Sequence, residues 1–113
     1  MTRNEQVDQA IQDVYDREKA FGDALKREAD AEYAFKIKQA QELLNAEGTE
    51  SVKKSIALTK CSVEYKEYLM ATASKEFIKA KLNDAQSVLS ARQSLLSAEA
   101  KSDFGYANSR RNV

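Results

Sequence analysis

The stretch Asn45-Ala46-Glu47-Gly48-Thr49-Glu50 separates two long regions, and the chain contains no proline. Gly48 suits a helix C′ position, where φ becomes positive and glycine carries no steric penalty. Thr49 suits the N-cap of a following helix, which puts Glu50 near the positive end of that helix's dipole. Because a connection of a few residues folds long helices back on each other, this stretch predicts an antiparallel helical hairpin.

The composition agrees with an all-α, coiled-coil-like protein. Of 113 residues, 32% are charged and 42% are hydrophobic, with three glycines and no tryptophan. That balance is typical of long helices rather than of a rounded globular domain. We expect a hairpin domain over residues 1–101, made of a helix at about 3–46, a turn at 46–49 and a helix at about 50–101, followed by a flexible tail at 102–113.

Local signals mark where helices begin and where they could break. Thr2 or Asn4 can cap the first helix, with Glu5 in its first turn. Gly22 costs a helix interior about 1 kcal/mol relative to alanine, so it could separate two helices. The Asn-Asp pair at 83–84 could also interrupt a helix, because both residues compete for backbone hydrogen bonds. We expect two helices, and a break at either place would give three.

The first helix has one prominent apolar stripe. Its four-residue steps resemble an eleven-residue repeat, which favours a nearly straight helix. Acidic residues occupy the opposite side, so we expect the stripe to be the buried side. Its members are Phe21, Leu25, Ala29, Tyr33, Ile37, Ala40 and Leu44.

The second helix has a wider apolar surface than one partner helix can cover. Two apolar lines run along it, and a two-helix hairpin has only a thin core. We therefore expect a homo-oligomeric bundle, with a further protein partner also expected. The predicted interface residues are Val63, Met70, Phe77, Leu82, Leu89 and Leu96.

The net charge is zero, but the two halves differ in sign. Residues 1–48 have 7 basic and 11 acidic side chains, and residues 49–113 have 11 basic and 7 acidic. An acidic helix beside a basic one would explain this difference. The alternative is a single-stranded nucleic-acid binder that contacts phosphates without reading sequence. Its candidate contacts are Lys53, Lys60, Lys75, Lys79, Arg110 and Arg111.

The residues do not favour catalysis. The chain has no histidine, and its one cysteine, Cys61, therefore has no histidine to activate it. A remote alternative is a magnesium-dependent all-α nucleotide pyrophosphohydrolase that uses the acid pairs at 13/16 and 64/67. With the turn near residue 48, residues that face each other have numbers summing to about 96, which brings 64 and 67 to residues 29–32 and not to 13. We predict a non-enzyme without a cofactor.

No segment approaches the roughly 20 apolar residues of a membrane span, and the first residues are polar. We therefore expect a cytoplasmic protein that does not interact with membranes.

Three stretches carry a resemblance to known proteins: EYAFK at 32–36, AEGTE at 46–50 and ARQSLLSAE at 91–99. They resemble small all-helical proteins of tailed bacteriophages that are associated with recombination or replication genes. The resemblance implies an accessory role on DNA or on a host enzyme, in the host cytoplasm, and it assigns no functional residue. Together with the apolar excess, it favours a non-enzymatic scaffold or adaptor that acts through protein–protein contacts.

Overall fold

Three α-helices account for nearly all of the described chain. The computed structural model describes the backbone of residues 1–111 and the side chains of residues 1–102. Helix α1 is Arg3–Asn45, α2 is Glu50–Lys60 and α3 is Ser62–Arg111, and no strand occurs within residues 1–111. The predicted all-α class is confirmed.

Polar side chains begin the helices where the sequence predicts. The Thr2 hydroxyl accepts a hydrogen bond from the Glu5 N–H at 3.1 Å, and the Glu5 carboxylate accepts one from the Thr2 N–H at 3.3 Å. This reciprocal pair is a capping box. The Thr49 hydroxyl accepts from the Val52 N–H at 3.3 Å. Each contact satisfies an N–H that the helix itself leaves unpaired.

The link between α1 and α2 contains Gly48, whose φ is 117° and is the only positive φ among the described residues. That value confirms the predicted need for glycine. Helix α1 ends at Asn45, so Gly48 lies beyond the C′ position that the sequence suggested.

The second helical region is divided at Cys61, where the sequence predicts an uninterrupted helix. Cys61 has φ −98° and ψ 13°, and its N–H is shared between the carbonyls of Ala57 at 3.0 Å and Leu58 at 3.3 Å. Just upstream, the hydroxyl of Thr59 bonds to the Ser55 carbonyl at 2.9 Å. Hydroxyl bonds of this type favour bending of a helix, but Ser87 makes the same bond to Asn83 inside the uninterrupted α3, so this bond alone does not explain the division. The third helix therefore arises at Cys61, not at either predicted break.

Neither Gly22 nor the pair at 83–84 interrupts a helix. The α3 backbone also continues to Arg111, past the predicted end near Lys101. No proline lies in 102–111, and one glycine costs a helix only about 1 kcal/mol. The tail at 102–113 is predicted to be flexible. The side chains of residues 103–113 lie outside the described part of the chain, so this flexibility stays a prediction.

Two units can be distinguished along the chain, and the first combines Met1–Lys19 with Ala80–Val113. Its contacts pair the start of α1 with the late part of α3. The Arg3 Nε lies 2.9 Å from the Glu99 Oε1, and the Arg92 guanidinium donates to the Gln6 carbonyl at 3.0 Å. The helices are therefore antiparallel in this unit. Its buried apolar residues are Val7, Ala10, Leu82 and Ala85.

The second unit is Ala20–Lys79, and its helices are also antiparallel. The Phe35 ring lies 5.2 Å from the Tyr65 ring and 6.2 Å from the Tyr68 ring, measured between centroids. These pairs have residue numbers summing to 100 and 103, not to about 96. The pairing register is therefore displaced from the predicted one by about four to seven residues, although the reversal itself lies in the link between Asn45 and Glu50. The buried residues of this unit are Ala24, Phe35, Ala57 and Cys61.

Candidate protein-interaction surface

The side of α1 that packs inside the second unit is not the predicted apolar stripe. The residues turned toward α2 and α3 are buried or half-buried and follow heptad spacing. Three of the six are charged, and each of these is ion-paired. We call this line the inner α1 face: Ala24, Glu28, Ala31, Phe35, Lys38 and Glu42.

Much of the predicted stripe lies on the opposite side of α1 and is exposed. Tyr33 is 70% exposed, Leu44 86%, Ile37 42% and Leu25 43%. The prediction that the stripe forms the buried side is therefore wrong. The physical reason is that Phe35, two positions and about 200° from Tyr33, forms the aromatic contacts with α3 and so fixes which side of α1 turns inward.

We call the exposed line on this opposite side the outer α1 face. Its steps are four, three, four, four, three and four residues, so the eleven-residue spacing noted in the sequence is present here. Such spacing keeps side chains on one side of a straight helix. The members are all exposed: Gly22, Lys26, Ala29, Tyr33, Ile37, Ala40 and Leu44.

Helix α3 adds a second exposed apolar line in this unit. Val63, Met70 and Phe77 are spaced seven residues apart and are 63%, 61% and 64% exposed. They lie on the surface, as an oligomer interface requires. We call these three the outer α3 face.

The other predicted interface residues are placed differently, in the first unit. Leu82 is buried inside that unit, so its prediction as an intermolecular contact is corrected. Leu89 and Leu96 are half-buried. The physical reason is that these leucines lie on the side of α3 turned toward the start of α1, where Val7 and Ala10 are also buried.

A well-shielded ion pair joins the two helices of the second unit. The Lys75 ammonium lies 2.9 Å and 3.1 Å from the two carboxylate oxygens of Glu28, and both side chains are only 18% exposed. The hydrogen bond from Lys75 lowers the pKa of Glu28, and the same bond raises the pKa of Lys75. Glu76 also approaches this ammonium, at 3.3 Å. Lys75 would have to leave this ion pair to contact a phosphate, so its role as a phosphate contact stays a prediction.

The remaining candidate nucleic-acid contacts do not form one uniform group. The Lys60 ammonium lies 3.7 Å from a Glu42 oxygen. Lys53 is half-buried, and Lys79 is exposed. The side chains of residues 110 and 111 lie outside the described part of the chain.

Cys61 is fully buried in the second unit. Burial raises the pKa of its thiol, and the nearby carboxylates of Glu64 and Glu42 raise it further. A thiol of this kind reacts slowly, because the thiolate is the reactive form.

The predicted acid pairs lie in different units. Asp13 contacts Arg17 at 3.5 Å, and Asp16 accepts a hydrogen bond from Gln12 at 3.0 Å. In the second unit, a hydrogen bond to Glu42 raises the pKa of Lys38, and the nearby charge of Glu64 adds to this shift. The expected position of Glu64 opposite residues 29–32 is therefore corrected to one near Lys38. Across residues 1–102, no three histidine, cysteine or acidic side chains come together as metal ligands would.

In comparisons with known proteins, no family model, curated protein or solved structure matches this chain. No helix in the described residues combines the length and apolar character that a membrane span needs.

Proposed function

We propose that this protein is a homo-oligomeric helical scaffold or adaptor that acts through protein–protein contacts made by the outer faces of its second unit. The observation that carries the proposal is the exposure of Tyr33, Ile37 and Leu44 along one side of α1. Fully burying an isoleucine or leucine side chain contributes about 1.5–3 kcal/mol. A line of such side chains on one helix is what a docking partner covers.

The outer α3 face supports the same proposal. Val63 and Met70 are exposed on this face two helical turns apart. Methionine adapts readily to the shape of a partner. A single exposed apolar residue is normal on any protein surface, but contiguous lines mark interaction sites. Two such lines in one 60-residue unit favour binding to protein over binding to nucleic acid. The pairing of Lys75 with Glu28 points the same way.

A role in phage recombination or replication extends this proposal. It rests on the resemblance of the stretches at 32–36, 46–50 and 91–99, and it names the setting in which the adaptor would work. The partner would then be a protein that acts on DNA.

The proposal is tested by combining solution mass with affinity capture from cells that carry the gene. The wild-type chain is compared with Ile37→Lys and Met70→Lys, one on each outer face. Ala34→Lys is the matched control, because Ala34 is exposed on the lateral side of α1. We expect self-association or specific capture by the wild type and the control. At least one outer-face variant should lose it by tenfold or more, since a lysine buried in an interface is strongly unfavourable.

A wild-type chain that stays monomeric at tens of micromolar and also captures no protein would overturn the proposal. Capture or association that is unchanged in both outer-face variants would also overturn it, because binding would then use another surface.

A further inference from the structure

Along the outer α1 face, side-chain sizes on the two sides of Tyr33 are complementary. Gly22 and Leu44 each lie eleven residues from Tyr33, and Ala29 and Ile37 each lie four residues from it. At each distance a small residue on one side of the centre matches a large residue on the other. The remaining pair, Lys26 and Ala40, lies seven residues from Tyr33 and likewise combines a long side chain with a small one.

We infer that the outer α1 face binds the same face of a second copy of this chain, antiparallel, around a two-fold axis at Tyr33. The two-fold places Gly22 against Leu44 of the second copy and Ala29 against Ile37 of the second copy. Away from the axis, Leu44 and Ile37 each then meet a small residue, whereas on the axis the two Tyr33 side chains meet each other. The inference rests on the proposed function and names its first partner.

The space at Gly22 fits this arrangement. A Cβ built on Gly22 has no atom within 4 Å, so that position is open on its outer side. Leu44, at the other end of the face, is 86% exposed. An open glycine and a projecting leucine at equal distances from one centre are the two halves of a self-complementary contact.

The charges beside the face do not oppose the antiparallel pairing. Glu32 and Lys36 lie on one flank of the outer α1 face and already form an ion pair within the chain, at 2.7 Å. A two-fold keeps this flank opposite itself, so Glu32 lies within about one helical turn of both Glu32 and Lys36 of the second copy. On the other flank, Asp23 lies near Gln41 of the second copy. The antiparallel order also separates the two Lys26 residues by about 21 Å along the axis.

A parallel pairing would be worse at two positions of the face. It would place Gly22 against Gly22, leaving a gap, and Lys26 against Lys26, bringing like charges together. Because the eleven-residue spacing suits straight helices, the antiparallel contact can run the whole distance from Gly22 to Leu44, about 33 Å.

The inference is tested by cysteine cross-linking of the full chain. Three single variants are made at exposed positions: Tyr33→Cys, Leu44→Cys and Gly22→Cys. The wild type supplies the background, since its only thiol, Cys61, is buried. Circular dichroism confirms that each variant is helical, and light scattering measures its mass.

We expect a short bismaleimide to join two copies of Tyr33→Cys, because residue 33 lies on the axis. Leu44→Cys and Gly22→Cys should not cross-link with themselves, because equivalent residues lie about 33 Å apart along the axis. A mixture of those two variants should cross-link, because residue 22 of one copy meets residue 44 of the other.

Efficient self-cross-linking of Leu44→Cys, or a dimeric sample that does not cross-link at residue 33, would overturn the inference. A monomeric wild type at tens of micromolar would also overturn it. If that monomer still captures a protein, and Ile37→Lys or Met70→Lys abolishes capture, the adaptor part of the proposed function stands and its homo-oligomeric part fails. If it captures none, both fail.

Discussion

Replacing Phe35 and Ile37 in turn decides which side of α1 packs within the chain. Phe35 is 9% exposed and contacts two tyrosine rings, whereas Ile37 is 42% exposed on the outer α1 face. The two residues are two positions apart in the sequence, and both are large and apolar. The apolar stripe in the sequence would make Ile37 the core residue, and the tertiary structure makes Phe35 the core residue.

The expected magnitudes differ enough to measure. A core Phe→Ala change costs about 3–5 kcal/mol, and the thin core here puts Phe35→Ala near 3 kcal/mol. Ile37→Ala should cost less than about 1 kcal/mol within one chain, because much of that side chain already contacts water. The difference, about 2 kcal/mol, changes the folding equilibrium about 30-fold.

Urea unfolding followed by circular dichroism measures both effects. With a slope of about 1–3 kcal/mol per molar urea, Phe35→Ala should lower the midpoint by about 1–3 M. Each variant is measured at several protein concentrations. The loss of stability in Phe35→Ala should be the same at every protein concentration. The loss in Ile37→Ala should grow with protein concentration, because Ile37 is proposed to contact a second copy. If Ile37→Ala were the more destabilising change at the lowest concentration, our assignment of the inner α1 face would be refuted.

Four further outcomes follow from single residues. Gly22→Ala should raise the free energy of unfolding of the single chain by about 0.5–1 kcal/mol in urea melts at low protein concentration, because the site is helical and open there. Gly48→Ala should lower it by about 1–2 kcal/mol, because φ is 117° there, and equal effects of the two changes would contradict both assignments. Because Lys75 lowers the pKa of Glu28, this pair contributes stability above the unfolded pKa of about 4.3, and that stability is lost as pH falls through the folded pKa. Acid titrations should therefore show that Glu28→Gln loses less stability than the wild type below a pH of about 4.3. An equal loss in both proteins would argue against the ion pair. The buried Cys61 thiol, with its raised pKa, should react with a maleimide far more slowly in the native protein than in urea, and equal rates would show that it is accessible.

The helix starts could be predicted from sequence because the responsible contacts are local. Thr2 and Glu5 are three residues apart, and so are Thr49 and Val52. A hydroxyl that caps an N–H three positions later needs no tertiary partner, so the residue types are sufficient. The division at Cys61 could not be predicted in this way, because neither glycine nor proline marks it.

The register of the second unit could not be predicted from the sequence, for a different reason. Its inner contacts include Glu28 with Lys75 and Phe35 with Tyr65, and each pair is separated by at least 30 residues in the chain. A line that contains charged residues also resembles a solvated surface until its counter-charges are known. The more apolar line therefore looked like the core, although it is the exposed one.

The sequence by itself determined that the chain is helical, where α1 and α2 begin and that a glycine is needed in the link, because these features depend on neighbouring residues and on backbone sterics. Only the tertiary structure decided which side of α1 turns inward, because that choice depends on aromatic and ionic partners supplied by α3. With the inner α1 face satisfied by those partners, Tyr33, Ile37 and Leu44 are left on the surface. The candidate binding surface is thus a consequence of packing between helices, and no single helix could reveal it.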